Sequence, residues 1–207
     1  MNYVIGLLMF ALSTFSYADN LAPEVLVKTT TMDVTTILKR DKAVLLNDST
    51  KLYALIDAKV VPHFDFNQMT ILAVGRYWRQ ATPAQQQVLI KEFRTLLVRT
   101  YANALAEFNN QVIEFKPFNM VANATDATVQ TQVKQPGAQP IPIDYSMEKT
   151  VTGWKVYDVS IDGVSLVTNY RGSFATEIRN SGVDGLIRTL AARNQQSAPT
   201  QSATTSK

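Results

Sequence analysis

Residues 141–163 read IPIDYSMEKTVTGWKVYDVSIDG, and this stretch decides the fold. Ile141, Ile143, Tyr145 and Met147 recur at every second position, and Tyr157, Val159 and Ile161 do so again. Side chains two apart share one face of a strand, so each set points to one side of a sheet. Thr152-Gly153 between the sets and Asp162-Gly163 after them are turn sequences. A connection this short leaves no room for a crossover, so the two strands pair antiparallel. With Tyr157 and Val159 facing inward, strict alternation sends Asp158 to the solvated face.

The same period extends upstream. Ile113 and Phe115 form one alternating set and Val129, Thr131 and Val133 another, with Gln135-Pro136-Gly137 as the turn before Ile141. Four consecutive strands joined in this way make a meander with one face free to accept helices.

Before the strands the period is helical. Thr82 is an N-cap with Pro83 at the first helical position and Gln85 at the third, the spacing of a capping box. The helix it opens runs to about Phe108, with Leu89, Phe93, Leu96, Leu97, Tyr101, Ala104, Leu105 and Phe108 on one face and Gln87, Lys91, Glu92 and Glu107 mostly on the other. Earlier, Val25, Met32 and Thr36 fall at helical spacing between Leu21 and Lys39, although Thr29-Thr30-Thr31 is β-branched. Asp48 caps a helix carrying Leu52, Ile56 and Val60, which Pro62 stops at Val61. Asp65 and Gln68 make a second capping box, for a helix that ends at Gly75.

After the strands, Leu166, Tyr170, Phe174 and Ile178 restore the helical period. Ser181-Gly182 interrupts it, and Val183, Leu186, Ile187 and Leu190 resume it. Residues 194–207 offer nothing to bury and read as a disordered polar tail. Helices, then strands, then helices give an α+β domain: a four-stranded antiparallel curved sheet with helices packed on one face.

Residues 1–18 carry no charged side chain, hold an apolar run from Tyr3 to Leu12 and end in Ser16-Tyr17-Ala18. This pattern is a signal peptide cut after Ala18, although the customary Lys or Arg is missing at its start. The run is too short for a span of about 20 residues, so the expectation is a soluble periplasmic protein with a single domain over 19–193. There is no cysteine, which excludes a disulfide scaffold, thiol catalysis and every cysteine-based zinc site. The net charge is +3, with Lys and Arg dispersed among acids, unlike the clustered basic face of a nucleic-acid binder.

Chemistry is sparse. His63 is the one histidine, so a Ser/His/Asp triad or a multi-histidine metal site would have to rely on it alone. Asp65 is explained as an N-cap. No glycine-rich phosphate loop occurs. Gly75-Arg76-Tyr77-Trp78-Arg79 interleaves bases and aromatics, but it follows a helix stop and reads as a corner with Trp78 buried and the arginines outside.

Pro62-His63-Phe64-Asp65-Phe66, Met69-Thr70, Ala73-Val74-Gly75-Arg76-Tyr77-Trp78, the Thr82-Pro83 helix with Glu92-Phe93 and Thr100-Tyr101, and Gly153-Trp154-Lys155-Val156-Tyr157-Asp158-Val159 resemble the MlaC, or toluene-tolerance, family. Ile161-Asp162-Gly163-Val164-Ser165-Leu166, Tyr170-Arg171, Phe174 and Gly182-Val183-Asp184-Gly185-Leu186-Ile187 continue the resemblance through the chain. It implies an NTF2-like fold and a periplasmic phospholipid carrier with no catalytic residues. It also implies two partners, an MlaA-like outer-membrane lipoprotein-porin complex and an inner-membrane ABC transporter with an MlaD-like MCE-ring subunit, and a role in outer-membrane lipid asymmetry.

Such a carrier has a defined physical task. Two acyl chains of roughly thirty methylenes, at about 0.8 kcal/mol each, lose on the order of 25 kcal/mol on entering water. An apolar cavity near or above ~1,000 Å3 is needed to hold them. The inward periods assign its lining to Phe115, Val129, Val133, Ile143, Tyr145 and Val159 on strands. From helices they add Ile71, Val74, Leu97, Tyr101, Leu105, Tyr170, Phe174 and Ile178. The headgroup would sit at the mouth near basic groups. No cofactor or metal is expected beyond the lipid cargo, and nothing resembling a heptad seam calls for assembly, so the expectation is a monomer.

Two other readings remain. One is an isomerase-type enzyme on an NTF2-like fold, using Asp158 with Tyr145 or Tyr157. The other is an adaptor with a solid core.

Overall fold

The computed structural model describes residues 21–108 and 110–196. The predicted signal peptide lies outside them. The chain opens with α1 (Pro23–Arg40), α2 (Lys42–Asn47) and α3 (Ser49–Lys59), then a 3-10 turn at Val61–His63 and α4 (Phe66–Val74). A second 3-10 segment (Gly75–Gln80) leads to α5 (Pro83–Ala106). Next come β1 (Val112–Phe115), β2 (Asp126–Lys134), β3 (Ile141–Thr150), β4 (Gly153–Ile161) and β5 (Val164–Ser165), then α6 (Leu166–Gln196).

The five strands form one antiparallel meander in chain order. The expected four become five because the Asp162-Gly163 turn folds back far enough for Val164 and Ser165 to pair with Ile161 and Ser160. Both turn residues have left-handed φ, 51° and 77°, as a tight hairpin requires. Two residues are too few to show a period.

A second correction concerns β4. The β3–β4 register slips between Ser146 and Met147, so that Ser146 pairs with Asp158 and Met147 with Val156. Tyr157 is the extra residue of this β-bulge. Trp154 and Val156, 5% and 3% exposed, thereby join Val159 on the buried face, while Tyr157 is only half-buried. Alternation carried through Tyr157 would have put both on the opposite side.

The helix starts follow the sequence. Asp48 accepts the Thr50 and Lys51 amides at 3.1 and 3.2 Å, and Asp65 accepts the Gln68 amide at 2.8 Å. Thr82 and Gln85 complete the reciprocal box, at 3.2 and 2.9 Å. On α1 the buried positions are Pro23, Leu26, Val27, Val34 and Leu38, whereas Val25, Met32 and Thr36 are exposed. The helix serves two partners, the sheet through Leu26 and Val27 and the neighbouring helices through Val34 and Leu38. The stripe at i, i+7 and i+11 is therefore displaced by two residues from the expected one. Six-residue α2 is too short to declare itself by periodicity.

α6 bends at Gly182 (φ 71°, ψ −179°), where the predicted interruption lies. It also continues past Arg193, against the expected tail: Asn194 is 5% exposed. Its Nδ2 donates to the Glu92 carbonyl and carboxylate at 3.0 and 2.7 Å, and Arg99 donates to its carbonyl. In the 3-10 segment Tyr77 is the buried residue, Trp78 is half-buried, and Arg76 and Arg79 are exposed as expected.

Buried apolar residues fall into three clusters. One joins α4, the Gly75–Gln80 segment, α5 and α6; a second lines the sheet and the start of α1; a third joins the end of α1 with α2, α3 and α5.

Candidate functional site: the apolar seam between sheet and helices

Phe64 packs against both the sheet cluster and the α4–α6 cluster. It is placed there by backbone: Phe64 forms a parallel bridge to Val156, the Asp65 N–H donates to the Val156 carbonyl at 2.9 Å, and Lys155 Nζ donates to the Pro62 carbonyl at 2.7 Å. Phe66 stacks on it with ring centroids 5.8 Å apart. The segment before α4 is thus stitched to β4, fixing the helical layer against the sheet.

In the helical cluster, Phe93, Tyr170 and Phe174 form an aromatic triad with centroids 5.2 to 5.4 Å apart. Tyr101 lies beside them, its phenol pushed above the usual range by burial and then by the neighbouring Tyr170. On the sheet side, Tyr145 pairs with Val129 on β2 and Val159 on β4. Burial raises the Tyr145 phenol, a hydrogen bond with Thr131 opposing it, and Thr131 donates to the Ile143 carbonyl at 3.1 Å. The Thr131 and Tyr145 hydroxyls are therefore bonded within this face.

The sequence-predicted lining divides between these surfaces. Val74, Leu97, Phe174 and Ile178 are buried in the α4–α6 cluster, with Tyr101 and Tyr170 packed against it. Val129 and Val159 are buried in the sheet cluster, with Phe115, Ile143 and Tyr145 packed against it. Leu105 packs instead against the third cluster, and Ile71 and Val133 are half-buried outside all three. Sequence reasoning missed Phe64, Phe118, Trp154, Val156 and Leu166. The apolar alternation Phe64, Phe66 was a signal for the first, and the bulge hid Trp154 and Val156.

Two surface clefts were not anticipated. One, of about 280 Å3, lies between α1 and the end of α3 and includes His63; the other, of about 320 Å3, lies between the two arms of α6. The second is lined in part by Phe174, and neither has the volume of the expected chamber.

Asp158 has a structural task. Its Oδ1 accepts the Val159 and Val167 amides at 2.9 and 3.1 Å, and Ser165 Oγ donates to Oδ2 while accepting the Thr168 amide at 3.0 Å. Asp158 and Ser165 together cap the first turn of α6. Register puts Asp158 on the face opposite Tyr145, so the two do not converge on one pocket. Tyr157 is raised by burial and by the Asp126, Glu148 and Asp158 carboxylates. Among the described residues no group of three or more acidic or histidine side chains is placed to hold a metal, and no helix is long and apolar enough to cross a membrane.

The family profile of the MlaC protein matches residues 28–192. The toluene tolerance protein ttg2D of Pseudomonas putida is 30% identical over 167 residues, 78% of this chain and 75% of its own. The intermembrane phospholipid transport system binding protein MlaC of Haemophilus influenzae is 23% identical over 164 residues, 78% of this chain and 75% of its own. A solved phospholipid-binding protein from Ralstonia solanacearum, in complex with a phospholipid, superposes with a TM-score of 0.80 at 42% identity, covering 86% of this chain and all of that one. With a profile match across most of its length and relatives that align over the same layers, the chain belongs to the MlaC family.

Proposed function

We propose that this protein is a phospholipid carrier of the periplasm, exported by the signal peptide at residues 1–18, that holds its cargo in the seam between the sheet and the helical layer. The observation carrying this reading is the likeness to the phospholipid-bound Ralstonia protein, which spans both layers of the fold. The seam supports it chemically: its walls are aromatic and aliphatic, and the Thr131 and Tyr145 hydroxyls are bonded within its sheet face.

On this reading the eleven predicted side chains that fall in the two facing clusters are the candidate lining, with Phe64 added at the joint; Leu105, Ile71 and Val133 lie outside it. The half-buried positions Tyr101, Tyr145, Ile143, Phe115 and Tyr170 are the first to meet an acyl chain, because they are packed on the clusters rather than locked inside them. Loading then means parting the two layers, exchanging wall-to-wall contact for wall-to-lipid contact of similar apolar area, a nearly balanced step that permits both uptake and release. The fold is read as NTF2-like, acting as a single monomeric domain over 19–193 without catalysis. The partners are an MlaA-like lipoprotein-porin complex and an MlaD-like MCE ring on an ABC transporter, between which the carrier maintains outer-membrane lipid asymmetry.

Native mass spectrometry of the purified mature protein, with solvent extraction and lipid identification, tests this. About one phospholipid per chain is expected. A protein that is lipid-free and takes none up from vesicles would overturn the reading.

A further inference from the structure

The Gly75–Gln80 segment and α6 carry four exposed arginines, Arg76 and Arg79 on the former and Arg171 and Arg179 on the latter, of which Arg76 and Arg179 approach Tyr77 and Arg171 approaches Gly75. Arg76 Nη2 donates to the Tyr77 hydroxyl at 2.9 Å, its guanidinium 4.9 Å from the ring centroid. Arg179 approaches the same hydroxyl while donating to Thr176 Oγ1 at 2.9 Å. Arg171, Ala175 and Arg179 follow one another at every fourth position and share a face of α6. Arg171 lies flat against Gly75, where a Cβ would sit 3.1 Å from its Nε and 3.4 Å from its Nη2. Gly75 has φ +60°, so a glycine there serves both the turn and the room for the guanidinium.

Among the described residues these cations have no ion-pair partner. The ion pairs among the described residues are Arg40–Asp41, Lys51–Asp48, Arg94–Asp57 and Lys134–Glu114, and none includes an arginine of this group. Like charges gathered around one phenol repel, and a guanidinium fork has two common partners, carboxylate and phosphate. Three forks from two elements suit a tetrahedral phosphate, which offers more oxygens than a carboxylate. Trp78, half-buried between Arg76 and Arg79, adds the amphipathic ring that settles at headgroup depth. The cluster faces away from the seam: Tyr170 points to Phe93, while its neighbour Arg171 is exposed.

We infer that Arg76, Arg171 and Arg179 form a phosphate-binding site on the outer surface of the helical layer, filled by phospholipid headgroups of an anionic bilayer. It is distinct from the seam and stands whether or not the seam holds lipid.

The test is co-sedimentation of the mature protein with phosphatidylcholine vesicles, with and without phosphatidylglycerol. Wild type, R76Q/R179Q and the control K28Q/K149Q, which removes the same charge elsewhere on the surface, are compared. Inorganic phosphate titration, followed by NMR at the 75–80 amides, forms a second arm. Binding to the anionic vesicles that weakens roughly tenfold or more in R76Q/R179Q and is kept in the lysine control supports the site and its bilayer source. Phosphate shifts at 75–80 without vesicle binding support the phosphate site and overturn the bilayer source. Equal loss in both double variants, or binding to poly-glutamate in preference to either phosphate probe, would overturn the site.

Discussion

The carboxylate of Asp158, in β4, accepts the backbone N–H of Val167, in the first turn of α6, at 3.1 Å. One side chain thereby fixes where the last helix leaves the sheet. Asp158→Ala is expected to lower stability by about 1–2 kcal/mol, the cost of a lost cap, and the melting temperature by about 2–8 °C. Lipid content should be unchanged. A variant with wild-type melting but no cargo would return Asp158 to the functional site.

Ile143 is half-buried on the sheet side of the seam, in register with Thr131 and Ile161. Ile143→Arg puts a charge where acyl chains are proposed to lie, and co-purifying lipid should drop at least tenfold while circular dichroism stays native. Leu97→Arg is the harsher change, because Leu97 is 6% exposed in the helical cluster and the substitution is expected to cost several kcal/mol of stability. Full lipid occupancy in Ile143→Arg would remove that residue from the lining.

Tyr145 predicts an alkaline effect. Its folded-state pKa is raised by burial, so its stabilising contribution is whole below the unfolded value near about 10 and is lost as pH rises through the folded value. Tyr145→Phe loses the Thr131 hydrogen bond, costing about 0.5–1.5 kcal/mol near neutrality. The urea midpoints of wild type and variant should therefore draw together as pH rises above about 10. Parallel curves would contradict the shift.

Gly182, at φ 71° and ψ −179°, occupies a region that essentially only glycine enters. A Cβ there meets no atom within 4 Å, so the cost of Gly182→Ala is backbone strain alone, about 1–3 kcal/mol. Thermal melts measure it, and a neutral result would mean that the two arms of α6 readily realign.

Asn194→Ala removes both hydrogen bonds to Glu92 and should cost about 1–3 kcal/mol by chemical denaturation, with Asn194→Asp no better because it sets a carboxylate against that of Glu92.

The local signals in the sequence were sufficient where the physics is local. Thr82 and Gln85 are three residues apart with Pro83 between them, and Asp65 and Gln68 are three apart, so caps and helix starts were legible. The Tyr157 bulge was not, because one inserted residue leaves the composition of a strand unchanged while reversing the sense of its alternation. Asn194 reads as tail in the sequence because its partner, Glu92, lies 102 positions away. The lining could be sorted into inward faces by period. Periodicity carries no information on the distance between two faces, so it could not tell whether the seam is open or shut.

The short bridge at Phe64 has a further consequence for life in a crowded compartment. β5 covers one end of the outer margin of β4 and the Phe64 bridge covers part of the other, which leaves the open margin on the opposite side, where β1 covers Thr131–Lys134 of β2. β1 is four residues long, and its Glu114 is held by Gln132 and Lys134. A stray strand adding to β1 finds few amides to grip, together with a charge to bury. The contact that joins the two layers therefore also helps to keep neighbouring molecules from zipping together.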